Sequence, residues 1–420
     1  MPIKLKSIYI KYKIMIDNII YMNMLKILTL TVPILVYPYL ISVLGSEKLG
    51  LVIWIWAIME LFIVFINFAF EISITKHISL NRDNLNKISI IFSSVLYAKL
   101  FLLTIILLIS FILVNFVPLI KENITLFYVT FLIVLPELIM PLWYFRGIEK
   151  MKFVAYFTSF VKLGYTGLIF LFIHAPSDYI YVPILYALSG FLSALGANYY
   201  IYKNGIYLQK VSLQRIYFYI NESLPLFGSN AIYTIREKMN IFFVEYFIGI
   251  SSVAYFDLIQ KFINILITPF HIVSSTIYPY IVKTKDIQLL KKIILLSLFS
   301  SVILLSNIYY FNNEIILLLL KIKSSELSNI LNIMSVGIIA NILNSFLGLN
   351  ILSVFNKSNK LFKSSLFATF GYSLIVYLIL INYKIDFVAI AITVQIVYVL
   401  EALLKIYYSK ALLNNRATLI

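Results

Sequence analysis

Long apolar runs, cut by short charged or Gly-, Pro- and Asn-rich clusters, fill the chain. Read by that pattern, the sequence predicts twelve membrane-spanning helices. They lie near Ile19–Val43, Leu51–Ser73, Ile88–Asn115, Ile124–Phe145, Phe153–His174, Ile180–Tyr202, Glu222–Ile248, Ser252–Ile281, Ile293–Phe311, Leu327–Phe355, Ser364–Asn382 and Asp386–Tyr408. A helix needs about 20 apolar residues to cross the hydrocarbon, and the longest runs leave room for tilt or kinks. Barrel strands would be about 10 residues long with alternating polarity; these runs are too long and too uniformly apolar. The expected fold class is therefore an all-α polytopic membrane protein.

The polar connections carry a second pattern. Twenty-three of the 34 Lys and Arg residues fall in the N-terminal segment, in every second loop and in the C-terminal tail, counting Lys405 at the end of the last span, and only five in the loops between. The asymmetry alternates loop by loop, so positive-inside places both termini in the cytoplasm. Residues 1–18 form a basic, partly apolar segment suited to the membrane surface. The first run is too long for a signal-peptide core and reads as an uncleaved helix. Twelve spans split naturally into an N-lobe (19–202) and a C-lobe (222–408), with a cytoplasmic linker (203–221) and tail (409–420). Transporters often consist of such halves, with broken helices at the substrate site. Pro33, Pro38, Pro136, Pro141, Pro225, Pro269 and Pro279 all fall inside predicted spans, where proline removes a backbone hydrogen bond. On the opposite side, the apolar run Ile315–Leu320 is too short to span and suits an interfacial or re-entrant segment.

Composition narrows the function classes. Of 420 residues, 62% are hydrophobic and 12% charged, with a net charge of +16. The mean hydropathy is +0.96. A soluble enzyme, a disordered chain and a disulfide scaffold are excluded. Most of the basic excess is topological, so it does not argue for nucleic-acid binding. No cysteine is present, which removes thiolate metal sites and cysteine nucleophiles. His77, His174 and His271 are scattered, with no metal-ligand spacing, and no catalytic or nucleotide-binding motif is found. Neither a metal nor a cofactor is expected. The loops are too short for a catalytic domain.

Charges inside spans are costly and mark candidate sites. Lys99, Arg236, Lys238 and Lys261 lie well within their spans, while Lys26 and Lys162 sit near enough the cytoplasmic end to reach the surface instead. Glu60, Glu137, Glu237, Glu245 and Asp257 are the acidic counterparts, with Glu71 nearer the interface. Asp257 and Lys261 are at i, i+4 and can pair. Arg236 and Lys238 diverge by about 200° around their helix. Two readings stay open: structural ion pairs that set helix packing, or a cationic cavity with one carboxylate taking H+ or Na+. A cationic cavity without an ATP-binding motif suits an anionic substrate and secondary transport.

Several segments resemble the bacterial polysaccharide flippases, the Wzx-type O-antigen transporters, which share a superfamily with the multidrug and toxin extrusion (MATE) transporters. The first is Pro38-Tyr39-Leu40-Ile41-Ser42-Val43-Leu44-Gly45 with Glu47 and Gly50. The second is Phe68-Ala69-Phe70 through Ser73. The sharpest is Leu135-Pro136-Glu137, then Pro141-Leu142-Trp143-Tyr144-Phe145-Arg146-Gly147-Ile148-Glu149-Lys150-Met151. Weaker likenesses run through Ser252–Tyr255, Lys261, Tyr278-Pro279 and Asn344–Asn350. Three departures stand out: Ser42 where the family often has arginine, Ala69 for glycine, and Arg146 for glutamine.

The resemblance implies a two-lobed, twelve-helix, MATE-like alternating-access fold. It implies a non-enzymatic flippase for undecaprenyl-diphosphate-linked oligosaccharide repeat units in the inner membrane, with polymerase and chain-length proteins of the same pathway as candidate partners. Lys99, Arg236, Lys238, Lys261, Arg146 and Lys26 are then the candidate diphosphate contacts. Asn67, Asn230, Tyr233, Asn240, Asn264, Asn341 and Asn344 are candidate sugar-facing groups. Trp143 suits either sugar stacking or an interfacial anchor. Rival functions are a multidrug exporter on the same fold and a polytopic polymerase or ligase of the glycan pathway, the latter disfavoured by the short loops.

Overall fold

The computed structural model describes residues 3–355, 357–382 and 386–414, with side chains described from Tyr21 onward and a few of those, Lys26 and Pro279 among them, left out. The candidate contact at Lys26, the side chains of residues 1–18 and the end of the tail (415–420) lie outside the described residues.

The described residues are overwhelmingly helical and fall into two compact units, one of residues 1–32 and 43–239, the other of 33–42 and 240–420. Ten helices come first: α1 (Ile3–Asn67), α2 (Phe70–Leu80), α3 (Leu85–Phe116), α4 (Pro118–Glu122), α5 (Ile124–Phe131), α6 (Val134–Ile139), α7 (Leu142–Gly147), α8 (Met151–Phe172), α9 (Tyr181–Lys203) and α10 (Leu213–Phe247). Six follow: α11 (Ile250–Thr284), α12 (Ile287–Tyr310), α13 (Asn312–Leu320), α14 (Ser325–Leu347), α15 (Ser358–Asn382) and α16 (Phe387–Asn414), with a π-helical turn, Gly348–Ser353, continuing α14.

Nine stretches among the described residues are long and apolar enough to cross a membrane, one of them the 54-residue Ile27–Leu80. That length suffices for two crossings at about 20 residues each. The chain is a multi-pass membrane protein; the expected count of twelve is not reached on this criterion. Helix α10, expected as a span, is outside the nine. It carries Glu222, Arg236, Glu237, Lys238 and Glu245.

Three local features differ from smooth spans. The first two spans were expected to be separated by a loop, yet α1 runs through the first and on into the second as far as Asn67. Only Gly45 leaves helical geometry inside it, at φ +78° and ψ 163°. Glycine alone takes that conformation readily, which accounts for Gly45 in the first motif; Gly50 is buried in the following turn. The fourth span is not one helix but three, α5 to α7, because Pro136 and Pro141 interrupt it. The run Ile315–Leu320 lies in the short helix α13, whose Ile316, Leu319 and Leu320 are buried while Leu318 is exposed.

The expected linker, 203–221, lies within the first unit. Its extended start is bonded to α3: the Tyr207 and Gln209 amides donate to Ser89 Oγ (3.2 Å) and Ser93 Oγ (2.8 Å). Helix α10 then docks on α2 through Ser73 and Ser223 (2.6 Å) and through His77 and Glu222 (2.5 Å). The boundary between the two units falls at Met239 and Asn240, inside α10.

Candidate functional site

In the first unit the most deeply buried charge is Lys99 of α3, 3% exposed. Its ammonium donates to Asn67 Oδ1 and to the Glu137 backbone oxygen, each at 2.8 Å. Asn67 Nδ2 donates in turn to Glu137 Oε2 at 3.2 Å. Two helix breaks create these partners. Asn67 is the last residue of α1, just before Phe68 and Ala69, whose φ values are +43° and +55°. The Glu137 carbonyl would normally accept from the residue four positions on. That residue is Pro141, which has no N–H. Lys99 supplies the missing donor.

The sharpest sequence motif is an edge against which α2 packs. Arg146 Nη1 and Glu71 Oε2 are 2.7 Å apart, and Arg82 Nη2 and Glu149 Oε1 3.0 Å. Thr75 Oγ1 donates to the Trp143 carbonyl at 3.3 Å. A Cβ on Gly147 would sit 2.5 Å from Ile78, so glycine is required by close approach. Pro136 is packed against Gly190 in the same way. Glu149 takes a left-handed φ of +59°. Trp143 was expected to stack on a sugar or anchor at the interface. Instead it is 3% exposed and packs against Phe92, with ring centroids 5.8 Å apart. The apolar core that holds it leaves no face for a ligand.

Further along the first unit, Lys238 pairs with Glu60. Tyr233 donates to Glu237 Oε1 at 2.7 Å, and the buried Arg236 guanidinium stands 5.5 Å from the Tyr233 ring centre. Glu245, on the same helix but past the unit boundary, is half-buried. In the second unit, Lys261 pairs with Asp257 at i, i+4, as the spacing suggests, and donates to Tyr37 Oη at 2.6 Å. Tyr37 stands beside Pro38 and Tyr39 of the first motif, and the Ser42 hydroxyl donates to the Tyr39 carbonyl at 2.7 Å.

Three residues expected at a sugar-facing rim are used internally. Asn240 accepts from Tyr372 Oη at 2.6 Å, Asn341 donates to the Gly337 carbonyl at 3.0 Å, and Asn344 donates to the Tyr398 carbonyl at 3.0 Å.

One cluster was missed. Glu401 and Lys405 of α16 are 2.9 Å apart, with side chains 8% and 7% exposed. Ser365 Oγ donates to Glu401 Oε1 at 2.7 Å, and Lys405 reaches the Asn344 carbonyl at 3.4 Å, beside the π turn. Lys405 counted among the cytoplasmic charges. The signal that could have found it was the i, i+4 spacing with Glu401 on one helical face. Among the described residues no group of three or more His, Asp or Glu is placed to hold a metal ion.

Against known protein families, residues 15–285 match the model of the polysaccharide biosynthesis proteins. The chain belongs to the polysaccharide biosynthesis protein family. Two curated relatives of this family member are each named "Putative O-antigen transporter". One, from Escherichia coli (strain K12), is 24% identical over 67% of this chain and 68% of its own length. The other, from Shigella dysenteriae, is 24% identical over 54% of this chain and 58% of its own length. Among solved structures, the lipid II flippase MurJ in an inward closed conformation aligns with TM-score 0.75 at 14% identity, covering 94% of this chain and 87% of that one. An inward-facing MATE-family multidrug transporter of the MOP superfamily aligns with TM-score 0.73 at 12% identity, covering 93% and 94%. At those identities the likeness establishes the fold: this polysaccharide biosynthesis family member shares the helical fold of these two solved transporters.

Proposed function

We propose that the chain flips an undecaprenyl-diphosphate-linked oligosaccharide repeat unit from the inner to the outer leaflet of the cytoplasmic membrane. The observation that carries this reading is a set of buried or half-buried cations on helices that the sequence predicts to span, Arg236 and Lys238 on α10 and Lys261 on α11, within a chain whose connections are too short for a catalytic domain. Charge at membrane depth is costly and is retained where it serves a path. Arg236 in its unit and Lys261 in its own are the cations offered to the anionic head, while the prenyl tail stays in lipid. Lys238–Glu60 and Lys261–Asp257 are closed pairs that open when phosphate competes for the cation. The relatives named as O-antigen transporters and the fold of a lipid II flippase support the same reading, as does the family's link to polysaccharide biosynthesis. Both termini face the cytoplasm on the charge pattern, and transport is by ion-coupled alternating access, without enzymatic chemistry.

A multidrug exporter is the second reading, favoured by the MATE-family neighbours on the same fold. The deciding experiment is in a deletion strain: the leaflet on which lipid-linked repeat units accumulate. Build-up on the cytoplasmic leaflet, reversed by the intact gene but not by Arg236→Ala or Lys261→Ala at equal protein level, is expected. Build-up on the outer leaflet, or drug resistance with unchanged surface glycan, overturns it.

A further inference from the structure

The oxygen atoms around Lys99 form the kind of donor set that binds a small cation. A side-chain amide oxygen (Asn67 Oδ1) and a backbone carbonyl released by Pro141 converge on the ammonium at two helix breaks in the first unit, and the Glu137 carboxylate stands one hydrogen bond further out, held by Asn67. Unwound carbonyls and helix ends are the groups with which membrane transporters hold sodium. Here the cation is already present, covalently attached. Lys99 reaches Asn67 Oδ1 and the Glu137 carbonyl at 2.8 Å each, and it is 3% exposed. The hydrogen bond from Asn67 Nδ2 to Glu137 Oε2, 3.2 Å, fixes the amide so that its oxygen faces the lysine.

We propose that Asn67 Oδ1 and the Glu137 carbonyl, with the Glu137 carboxylate as the nearby counter-charge bonded to Asn67, constitute a monovalent-cation site that this chain fills with its own lysine, so that no sodium ion is exchanged at this cluster. Two consequences follow for the mechanism. Lys99 has two of its three donors committed to protein oxygens and is not a contact for the substrate's phosphates. Any sodium coupling must then use groups outside this cluster. The inference rests on geometry within one unit and does not depend on the identity of the substrate.

The test is sodium binding by the purified full-length chain in detergent, read as the Tm in NaCl against choline chloride at equal ionic strength. A ligand that binds only the folded state raises Tm. The wild-type chain is expected to show no sodium shift that depends on Glu137. Lys99→Met, which keeps the length and removes the charge, is expected to gain a shift of about 1–3 °C at sodium near ten times its Kd. Lys99→Met/Glu137→Gln is expected to lose it. A folded Lys99→Met chain with no sodium shift overturns the proposal. So does a wild-type shift that Glu137→Gln abolishes. If Lys99→Met does not fold, the comparison of wild type with Glu137→Gln decides. An equal response in both, whether zero or not, supports a filled site, and a response lost with Glu137 refutes it. Glycan export is not part of the readout, so failure of the flippase reading and failure of this one are separable.

Discussion

Two buried lysines, one in each unit, are held in opposite ways. Lys405 is paired along a single regular helix, with Glu401 one turn away and Ser365 supporting the carboxylate. Lys99 is held by groups 32 and 38 residues distant in sequence, brought together where two helices break. The first arrangement is a charge neutralised by a charge. The second is a cation held by oxygens that helix breaks have released. A helical ion pair needs only a continuous face; a cation cage needs irregular backbone, which in a membrane survives only where something satisfies its polar groups.

The largest effect should come from splitting the helical pair. Glu401→Ala leaves the Lys405 ammonium buried without its carboxylate and should lower stability by about 3–5 kcal/mol. The double change Glu401→Leu/Lys405→Met should recover most of that loss, because two apolar groups leave nothing unpaired. Unfolding curves in detergent for both chains check this. If the single and double variants are equally destabilised, the pair is not the unit that matters.

Lys99→Ala should cost less, about 1–3 kcal/mol, because neutral oxygens rather than a full charge lose their partner. It should also raise backbone hydrogen exchange at α6, where the Glu137 carbonyl becomes unpaired. Unchanged exchange there would remove the claim that Lys99 stands in for the missing amide of Pro141.

Smaller still is the strain at the break itself. Ala69 sits at φ +55°, where a Cβ costs about 1–2 kcal/mol. Ala69→Gly should therefore stabilise the chain by about 0.5–1 kcal/mol after the added unfolded-state entropy of glycine, read as a rise in Tm. A fall in Tm would mean that Ala69 contributes packing worth more than the strain.

The smallest change is expected at the exposed edge of the motif. Arg82 and Glu149 are 39% and 56% exposed, so Arg82→Ala should shift stability by less than about 1 kcal/mol, and the shift should shrink as salt is added. Arg146→Gln, which breaks the half-buried pair with Glu71, should exceed it in the same assay.

How much of this was legible from sequence depends on the distance over which each feature acts. The Asp257–Lys261 pair was readable because both residues lie on one helical face. Gly45 stood out as a motif glycine, and its positive φ supplies the reason. The Glu401–Lys405 pair was equally local, yet Lys405 was absorbed into the count of cytoplasmic charges, since hydropathy cannot distinguish the end of a span from the surface beyond it. Trp143 was misread for a related cause. Its place near a span end fits an interface, while its burial against Phe92 is set by α3, some fifty residues earlier.

The sequence by itself determined the membrane class, the helical fold and most helix positions, because apolar run length and proline or glycine punctuation act over a turn or a span. It also carried the family likeness, since the Trp143–Glu149 segment is contiguous. Only the tertiary structure decided which charges meet. It paired Lys238 with Glu60 and Arg146 with Glu71, and it enclosed Lys99 between Asn67 and Glu137. Such partners are chosen by which helix faces pack and where backbone hydrogen bonds are broken, and neither is encoded in the spacing along one segment.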